Sequence, residues 1–516
     1  MADDPDEKAA ATVTVGDAAA NTPSAADQSV TPPKSALGNR AARGASIVMV
    51  GQISRIVIQI GSVAVLARLL DPVDYGLIAI VLTVVGVGEI LRDFGLSAGA
   101  IQAASLDRHQ RDKLLWLNTA IGAGLAVVGF LVAPLVAKIF GQPELAGITR
   151  VLAFTFLING VIAQYRADLN RRMRFRSLVV TDVAAQLIGV AIAIALALAG
   201  TAYWALVAQQ LGQAGATLVI LVLYARWLPG RPRRGVNVKS IVKFGHGMMA
   251  SQLVGYLNSS VDTYTIALTM GPDQLGVYNR GFQLLMRPLN QLRAPSTTVA
   301  LPVLSRLNND PERAGRYIVS GQLAMGYPLV GMLAFAAGAA VPLVDLFLGS
   351  GWGDVAPVFA LLAIAGAFQT LSYVGNWVYL ARALTGQLFW YSLVSLTIKI
   401  VCVVVGSRWG IVGVAAGYAI APAIAWPISL WWLSRLTPLP VRDLTFGALR
   451  ITASATVAGL SCLLVVSLLS ALPLLVEILA GALTVAMVYL LAAVVVRPIR
   501  SDLREVLLIG RKALKR

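Results

Sequence analysis

Four apolar segments of this 516-residue chain carry polar and ionisable side chains at helical spacing. Gln52, Arg55 and Gln59 are three and four residues apart, which places them on one face of a helix. A charge in the hydrocarbon of a bilayer costs about 2.5 to 3.5 kcal/mol. A row of polar residues along one helix face, here called a stripe, therefore usually faces water or another stripe. Similar stripes lie in the other three segments: Glu89, Arg92 and Asp93; Gln252, Ser259 and Asp262; and Arg280, Gln283, Arg287, Asn290 and Gln291.

The arginines in these stripes indicate what the chain could bind. Guanidinium groups hold phosphate oxygens by paired hydrogen bonds, so a water-filled cleft lined by the stripes would suit a phosphorylated headgroup. An alternative is that Glu89–Arg92 and Asp262–Arg280 are structural ion pairs that lock helices together. Lys399 stands alone in its segment, where it could reach towards water or bind a passing anion.

These residues need a membrane scaffold, and the composition predicts one. The chain is 57% hydrophobic and only 13% charged, which is outside the usual range of soluble domains. Apolar runs of about 20 residues, each able to cross a hydrocarbon core of roughly 30 Å, recur along most of its length. We therefore predict an all-α integral membrane protein with about 14 membrane-spanning helices, at 44–68, 76–103, 114–138, 147–165, 178–199, 203–224, 244–268, 276–301, 317–343, 355–380, 387–406, 410–434, 444–471 and 474–496.

The net charge of +17 is distributed unevenly along the chain. Most lysines and arginines lie in alternate connections, such as DRHQRDK at 107–113 and ARWLPGRPRRGVNVKSIVK at 225–243. This asymmetry follows the positive-inside rule, so a disordered tail at 1–42 and a basic tail at 497–516 are both expected to be cytoplasmic. The basic loops should contact anionic lipid headgroups rather than nucleic acid, because they lack interleaved aromatic residues.

The sequence predicts neither a catalytic site nor a metal site. Cys402 and Cys462 fall inside apolar spans, and with His109 and His246 they are too dispersed for a metal cluster. No glycine loop ends in Lys-Ser or Lys-Thr, the pattern that cradles nucleotide phosphates. The connections between spans are too short for a soluble catalytic domain. We expect no cofactor and no enzymatic activity.

One short corner sequence occurs twice. Pro72 and Gly76 recur as Pro272 and Gly276, 200 residues later. If both corners are outer turns, an even number of helices separates them and the two copies have the same orientation. This predicts two pseudo-symmetric, parallel six-helix lobes around a central cavity, although a chance offset remains an alternative. The predicted organisation is 43–240 for the N-lobe, 241–440 for the C-lobe and 441–496 for two extra C-terminal helices.

The segments that carry these residues resemble the polysaccharide transport family. Its members are the Wzx-type flippases of lipid-linked oligosaccharides, within the multidrug/oligosaccharidyl-lipid/polysaccharide exporter superfamily. The resemblance lies in SVAVLARLLDPVDYGLIAIV and LRDFGLSAGAIQ in the first half, SSVDTYTIALTMGPDQLGVYNRGFQLL and ALPVLSRLNND in the second, and NWVYLARALTGQ further on. It covers residues 43–440 and leaves the glycan undefined.

The resemblance implies a protein of the bacterial inner membrane. Such a protein moves an undecaprenyl-pyrophosphate-linked saccharide repeat unit to the outer leaflet by alternating access, coupled to a proton or sodium gradient. The expected partners are the membrane, this lipid-linked substrate, and polymerase and export machinery. The expected roles are headgroup binding by Arg55, Arg280, Arg287 and Lys399, contact with sugars or water by Gln52, Gln59, Gln252 and Gln283, and ion coupling by Asp262, Glu89 or Asp93.

Other functions remain open at this point. A cation-coupled drug exporter or a lipid II flippase of the same superfamily would share the fold, and the exporter would need an acidic, aromatic pocket. A membrane-embedded glycosyltransferase or polymerase would need acidic or histidine chemistry on sizeable outer loops, whereas these loops are short. A major-facilitator porter would use the Asp-Arg-x-x-Arg pattern at 107–111, which is a weak signal in a basic loop.

Overall fold

The computed structural model describes the backbone of residues 34–93, 96, 107–231 and 239–514, and the side chains of 47–93, 96, 107–231, 252–509 and 511. The chain divides into two units, Met1–Ser46 and Ile47–Arg516. In the first unit, residues 34–46 are helical; of these, 34–42 fall in the range predicted as a disordered tail, and the rest of that range lies outside the described residues. In the second unit the described elements are helices joined by turns.

Within the described ranges, long helices match the predicted membrane spans in number and order. The first half contains α1 (Lys34–Leu66), α2 (Pro72–Asp93), α3 (Arg108–Phe140), α4 (Glu144–Arg171), α5 (Phe175–Leu198) and α6 (Trp204–Ala225). The second half contains α7 (Lys239–Thr269), α8 (Gly271–Arg306), α9 (Pro311–Gly338), α10 (Val355–Ala381), α11 (Thr385–Gly406) and α12 (Gly410–Leu436). The extra pair is α13 (Val441–Leu468) and α14 (Leu474–Val495).

Hydropathy distinguishes α7 and α8 from the other helices that match the predicted spans. Eleven segments of the described chain are long and apolar enough to cross a membrane, with α11 and α12 counted together as one. The helices α7 and α8, which carry two of the polar stripes, are not among these segments. Helix α8 also contains Pro288, Pro295 and Pro302. Interior helices can carry such residues because neighbouring groups satisfy their polar atoms.

Two local details differ from the sequence-based expectation. The repeated corner was predicted as a turn, but Pro72 and Gly76 lie at the start of α2, and Pro272 and Gly276 lie at the start of α8. Proline is well suited to the first turn of a helix, where its missing N–H has no intrahelical partner to lose. The ninth span, predicted at 317–343, ends at Gly338, and a short helix Ala340–Phe347 follows it.

The two halves repeat the same helix pairings. In the first half α3 packs on α4, α5 on α6, α4 on α6, and α2 on α4. In the second half α9 packs on α10, α11 on α12, α10 on α12, and α8 on α10. Each pair in the second half therefore has its counterpart six helices earlier, as the predicted duplication requires.

The halves meet where α2 crosses α8, at the two glycines of the repeated corner. A Cβ added to Gly76 would overlap the backbone carbonyl of Pro272, and a Cβ added to Gly276 would overlap that of Pro72. The contact is therefore reciprocal, with each corner packed against the other. Glycine is needed at both positions because the backbones approach too closely to leave room for a side chain.

The C-terminal segment predicted as a basic tail is a helix, α15 (Arg497–Leu514). It packs on α9 and α14. Asp502 on α15 accepts hydrogen bonds from Arg450 Nε on α13, at 2.7 Å, and from the hydroxyl of Tyr327 on α9, at 3.0 Å. Arg450 therefore has an ion-pair partner, Asp502, that was not predicted from the sequence. This pair fixes α15 to the helix bundle.

The α2–α8 crossing predicts a specific sensitivity to added volume. Gly76→Val should destabilise the protein by about 1 to 3 kcal/mol, because the new side chain must push the Pro272 carbonyl away. Gly124→Val in α3 is a matched control, since a Cβ there meets nothing within 4 Å. Thermal unfolding of the purified protein in detergent measures both variants. Equal melting temperatures for the two would contradict the close crossing.

The Asp502 contacts predict how firmly α15 is held. Asp502→Ala removes the partner of Arg450 and Tyr327, an interaction of charged hydrogen bonds worth about 1.5 to 3 kcal/mol before solvent screening. We expect trypsin to cleave after Arg500 and Arg504 several-fold faster in this variant, as read by mass spectrometry over time. Ser501→Ala, on the exposed side of α15, should leave the cleavage rate unchanged.

Candidate functional site

A first polar cavity of about 340 Å³, here termed the arginine cavity, lies between α1, α2, α5, α6 and α8. Three of its lining residues are Arg55, Arg280 and Arg287, which the sequence predicted as headgroup-binding residues. Gln59 and Gln283, predicted to contact sugars or water, also line it. The helix faces predicted from local spacing therefore converge on one shared space.

Arg280 is the most enclosed cation of the arginine cavity. Its residue is 4% exposed, and its guanidinium carbon lies 3.3 Å from the centroid of the Tyr75 ring. Its Nε atom is buried and has no hydrogen-bond partner. Among the described residues, neither Arg280 nor Arg287 has a carboxylate within 4.0 Å. Two cations thus line the cavity without an acidic counter-ion from the described residues.

Arg55 differs from these two because it faces an acidic residue. Its Nη1 lies 3.6 Å from Oδ2 of Asp182 on α5, and the side chain of Arg55 is 40% exposed. The same carboxylate makes a closer ion pair, of 2.5 Å, with Arg166 on α4. Arg55 therefore shares a carboxylate that Arg166 already neutralises, and its charge still contributes to the field in the cavity.

Amide side chains make up much of the remaining wall. Gln291 Nε2 donates to Gln59 Oε1 at 3.3 Å and so joins α8 to α1. The amides of α5 and α6 in this wall were not predicted from the sequence; they are Gln186, Gln209, Gln210 and Gln213. The signal in the sequence is that these glutamines lie inside otherwise apolar spans.

A second polar cavity of about 300 Å³, here termed the aromatic cavity, lies between α7, α8, α10, α11 and α12. Lys399 lies in this cavity and not in the arginine cavity. Its Nζ is 3.1 Å from Oδ1 of Asp262, donates to the carbonyl of Asn258, and stands 4.3 Å from the centroid of the Tyr418 ring. The side chains of Asp262 and Lys399 are only 1% and 10% exposed.

This pairing corrects an alternative raised by the sequence. Asp262 forms its ion pair with Lys399 on α11, and the ion pair considered between Asp262 and Arg280 is not formed. The ammonium of Lys399 neither reaches towards bulk water nor stands unpaired, because Asp262 neutralises it. Arg280 is left without the acidic partner that the alternative gave it.

Glu89 on α2 contacts one residue of its own helix and one residue of α4. Glu89 accepts a hydrogen bond from Arg92 Nε at 2.7 Å and another from Asn159 Nδ2 on α4 at 2.8 Å. The structural ion pair weighed for Glu89 and Arg92 is therefore present. Asp93 is the last residue of α2 and is half-buried. Neither carboxylate lines the two cavities.

The remaining predicted residues are Gln52 on α1 and Gln252 on α7. Both are half-buried, and neither is among the residues that line the two polar cavities. Within the described part of the chain, no three His, Cys, Asp or Glu side chains come together in a group that could hold a metal ion.

This architecture is that of a multi-pass, all-helical membrane protein. A solved structure of the lipid II flippase MurJ, in an inward closed conformation, covers 87% of this chain and 98% of its own, with a TM-score of 0.66 and 13% identity. At that identity the similarity shows a shared fold. It agrees with the predicted fold class of two pseudo-symmetric six-helix lobes around a cavity, with two extra C-terminal helices.

The chain belongs to the family described as "Polysaccharide biosynthesis protein", whose model matches residues 65–357, more than half of the chain. It is 24% identical over 381 residues to the lipopolysaccharide biosynthesis protein WzxC of Escherichia coli (strain K12), covering 72% of this chain and 76% of that protein. It is 27% identical over 359 residues to the teichuronic acid biosynthesis protein TuaB of Bacillus subtilis (strain 168), covering 68% and 73%. The family resemblance predicted from the sequence is confirmed.

The Asp262–Lys399 pair predicts non-additive effects on stability. Lys399→Met alone should cost about 3 to 5 kcal/mol, because it leaves the Asp262 carboxylate buried without a partner. The double variant Asp262→Leu, Lys399→Met should regain most of that loss, since both charges are removed together. Thermal unfolding of the single and double variants in detergent measures the coupling. Simple additivity of the two single effects would contradict the pair.

Proposed function

We propose that this chain is a flippase for a lipid-linked saccharide. It moves an undecaprenyl-pyrophosphate-linked repeat unit from the cytoplasmic to the outer leaflet of the bacterial inner membrane, by alternating access, for polysaccharide biosynthesis. The observation that carries the proposal is the arginine cavity, where Arg280 and Arg287 lack acidic partners among the described residues. Membership of the polysaccharide biosynthesis family and the flippase fold support the same conclusion.

The chemistry of the substrate explains the shape of the site. A pyrophosphate and several sugars must pass hydrocarbon, where each unsatisfied polar group costs several kcal/mol. Guanidinium groups can replace the water around phosphate oxygens by charge-assisted hydrogen bonds. Side-chain amides can both donate to and accept from sugar hydroxyls. The arginine cavity offers both kinds of group in one shared space.

The orientation of the chain and its energy source are part of the proposal. With both termini cytoplasmic, outward movement of an anion is favoured by roughly 2.3 kcal/mol per charge per 100 mV, because the cell interior is negative. A proton or sodium gradient would act through Asp262, Glu89 or Asp93. An ion that acts at Asp262 must compete with Lys399, and one that acts at Glu89 must compete with Arg92.

The other functions fit the site less well. A cation-coupled drug exporter would need an acidic pocket, and the charged residues that line the arginine cavity are all arginines. A lipid II flippase shares the fold and the headgroup chemistry, so it differs only in the saccharide. A membrane-embedded glycosyltransferase would need a catalytic group in one of the cavities, and neither lining contains an Asp, Glu or His.

Deletion of the gene followed by analysis of lipid-linked intermediates separates a flippase from an enzyme. A complete undecaprenyl-linked unit should accumulate on the cytoplasmic side of the membrane. An unfinished sugar chain together with unused sugar donor would instead support an enzyme and contradict the proposal.

Removal of the unpaired cations should abolish flipping without unfolding the protein. Arg280→Gln and Arg287→Gln should each lower the rate of export at least about tenfold, because a charged hydrogen bond is worth about 1.5 to 3 kcal/mol. The measurement is restoration of polysaccharide export in the deletion strain. Arg408→Gln, an exposed arginine between α11 and α12, is the matched control and should restore export fully. Full restoration by Arg280→Gln would remove the headgroup role from that residue.

A further inference from the structure

The arginine cavity and the aromatic cavity occupy equivalent places in the two halves of the chain. The first is lined by α1, α2, α5 and α6 together with α8, and the second by α7, α8, α11 and α12 together with α10. Helices α7, α8, α11 and α12 are the counterparts, six positions later, of α1, α2, α5 and α6. The equivalence extends to single residues with an offset of 200. The corresponding lining residues are Arg55 and Gly255, Gln59 and Ser259, and Leu82 and Phe282.

The chemistry of the two cavities has diverged at these positions. Where the first half has the guanidinium of Arg55, the second has Gly255, and where the first has the long amide of Gln59, the second has the short hydroxyl of Ser259. Among the described residues that line the aromatic cavity, the one charged side chain is that of Lys399, which Asp262 neutralises. The aromatic cavity is therefore polar but has no net charge from its described lining and this buried partner.

The lining of the aromatic cavity combines flat apolar surfaces with many small polar groups. The aromatic side chains are Phe282, Tyr391, Tyr418 and Trp426, and the polar ones include Asn258, Asn290, Gln369, Ser259, Ser372 and Ser395. Two of the amides are held in place from behind, because Arg293 donates to Asn290 and, at 3.3 Å, to Gln369. Arg293 itself is only 2% exposed and is not among the described lining residues, so it orients these amides from behind while its charge adds to the field in the cavity.

This combination suits an uncharged sugar. A pyranose ring has an apolar C–H face, which packs on aromatic rings, and a rim of hydroxyls, which pair with amides and serine hydroxyls. A free phosphate would need an unpaired cation, and a cationic drug would need an unpaired carboxylate. The volume of about 300 Å³ is at the lower end of the range for ligand pockets, which corresponds to on the order of one or two sugar rings.

We propose that the aromatic cavity is a saccharide subsite, and that the two repeated halves divide one ligand between them. The arginine cavity holds the pyrophosphate, and the aromatic cavity holds sugars of the same molecule. Helix α8 contributes Arg287 to the first cavity and Phe282 and Asn290 to the second, so the subsites lie about one helix diameter, roughly 10 Å, apart. The inference rests on the proposed flippase function and specifies where its glycan binds.

The test compares two ligands on the full chain in lipid nanodiscs. One is undecaprenyl pyrophosphate, and the other is the undecaprenyl-linked saccharide extracted from cells that lack this protein. We expect the wild-type chain to bind the saccharide-bearing lipid about tenfold more tightly, a gain that one or two net hydrogen bonds provide. Equal affinities would overturn the saccharide subsite and leave the headgroup site standing. Binding of neither lipid would overturn the proposed function and the subsite with it.

Two variants localise the gain. Gly255→Arg restores the residue type found at the equivalent Arg55, and a side chain fits there because a Cβ on Gly255 meets nothing within 4 Å. Trp426→Ala removes an aromatic surface. Both should lose the tenfold gain while binding undecaprenyl pyrophosphate as the wild type does, which also verifies that they fold. Arg280→Gln should weaken binding of both lipids. Retention of the gain in both Gly255→Arg and Trp426→Ala would overturn the subsite.

Discussion

The crossing of α2 and α8 is the constraint on which the site depends. Gly76 and Gly276 each face the carbonyl of the other corner's proline, so the two halves approach to backbone contact there. Tyr75 precedes the first glycine, and Arg280 lies one turn beyond the second, which places the guanidinium against the ring. Trp352 Nε1 donates to the carbonyl of Ala67 at 2.8 Å, and its ring packs edge-on against Tyr75.

The charges inside the molecule follow two different rules. Where an acidic and a basic residue meet in the second half, as Asp262 and Lys399 do, the pair is neutral and its role is to hold α7 against α11. Arg280 lies on α8 in the same half, and among the described residues only the Tyr75 ring offsets its desolvation. An anionic ligand would supply the missing counter-charge. The arginine cavity is therefore the proposed anion site, because Arg280 has no acidic partner among the described residues. The charge of Lys399 is already neutralised by Asp262.

The two halves share one arrangement of packed helices, but the residues that line the two cavities differ. The helix pairings repeat six helices later. The residues that line the cavities do not repeat in the same way. Arg55 is long and cationic, whereas the equivalent Gly255 has no side chain. The proposed ligand, with an anionic headgroup and neutral sugars, would contact both kinds of wall.

The sequence by itself determined the membrane class, the number and order of the spans, the duplication and the faces that carry polar residues, because hydropathy and helical spacing are properties of neighbouring residues. Only the tertiary structure decided which side chains pair with each other. Asp262 pairs with Lys399, 137 residues away, and Gln291 joins Gln59, 232 residues away. Which face of a helix meets which neighbour depends on how each helix is rotated, and close packing of distant segments fixes that rotation. For the same reason the sequence could not separate the arginine cavity from the aromatic cavity or recognise the C-terminal segment as a packed helix.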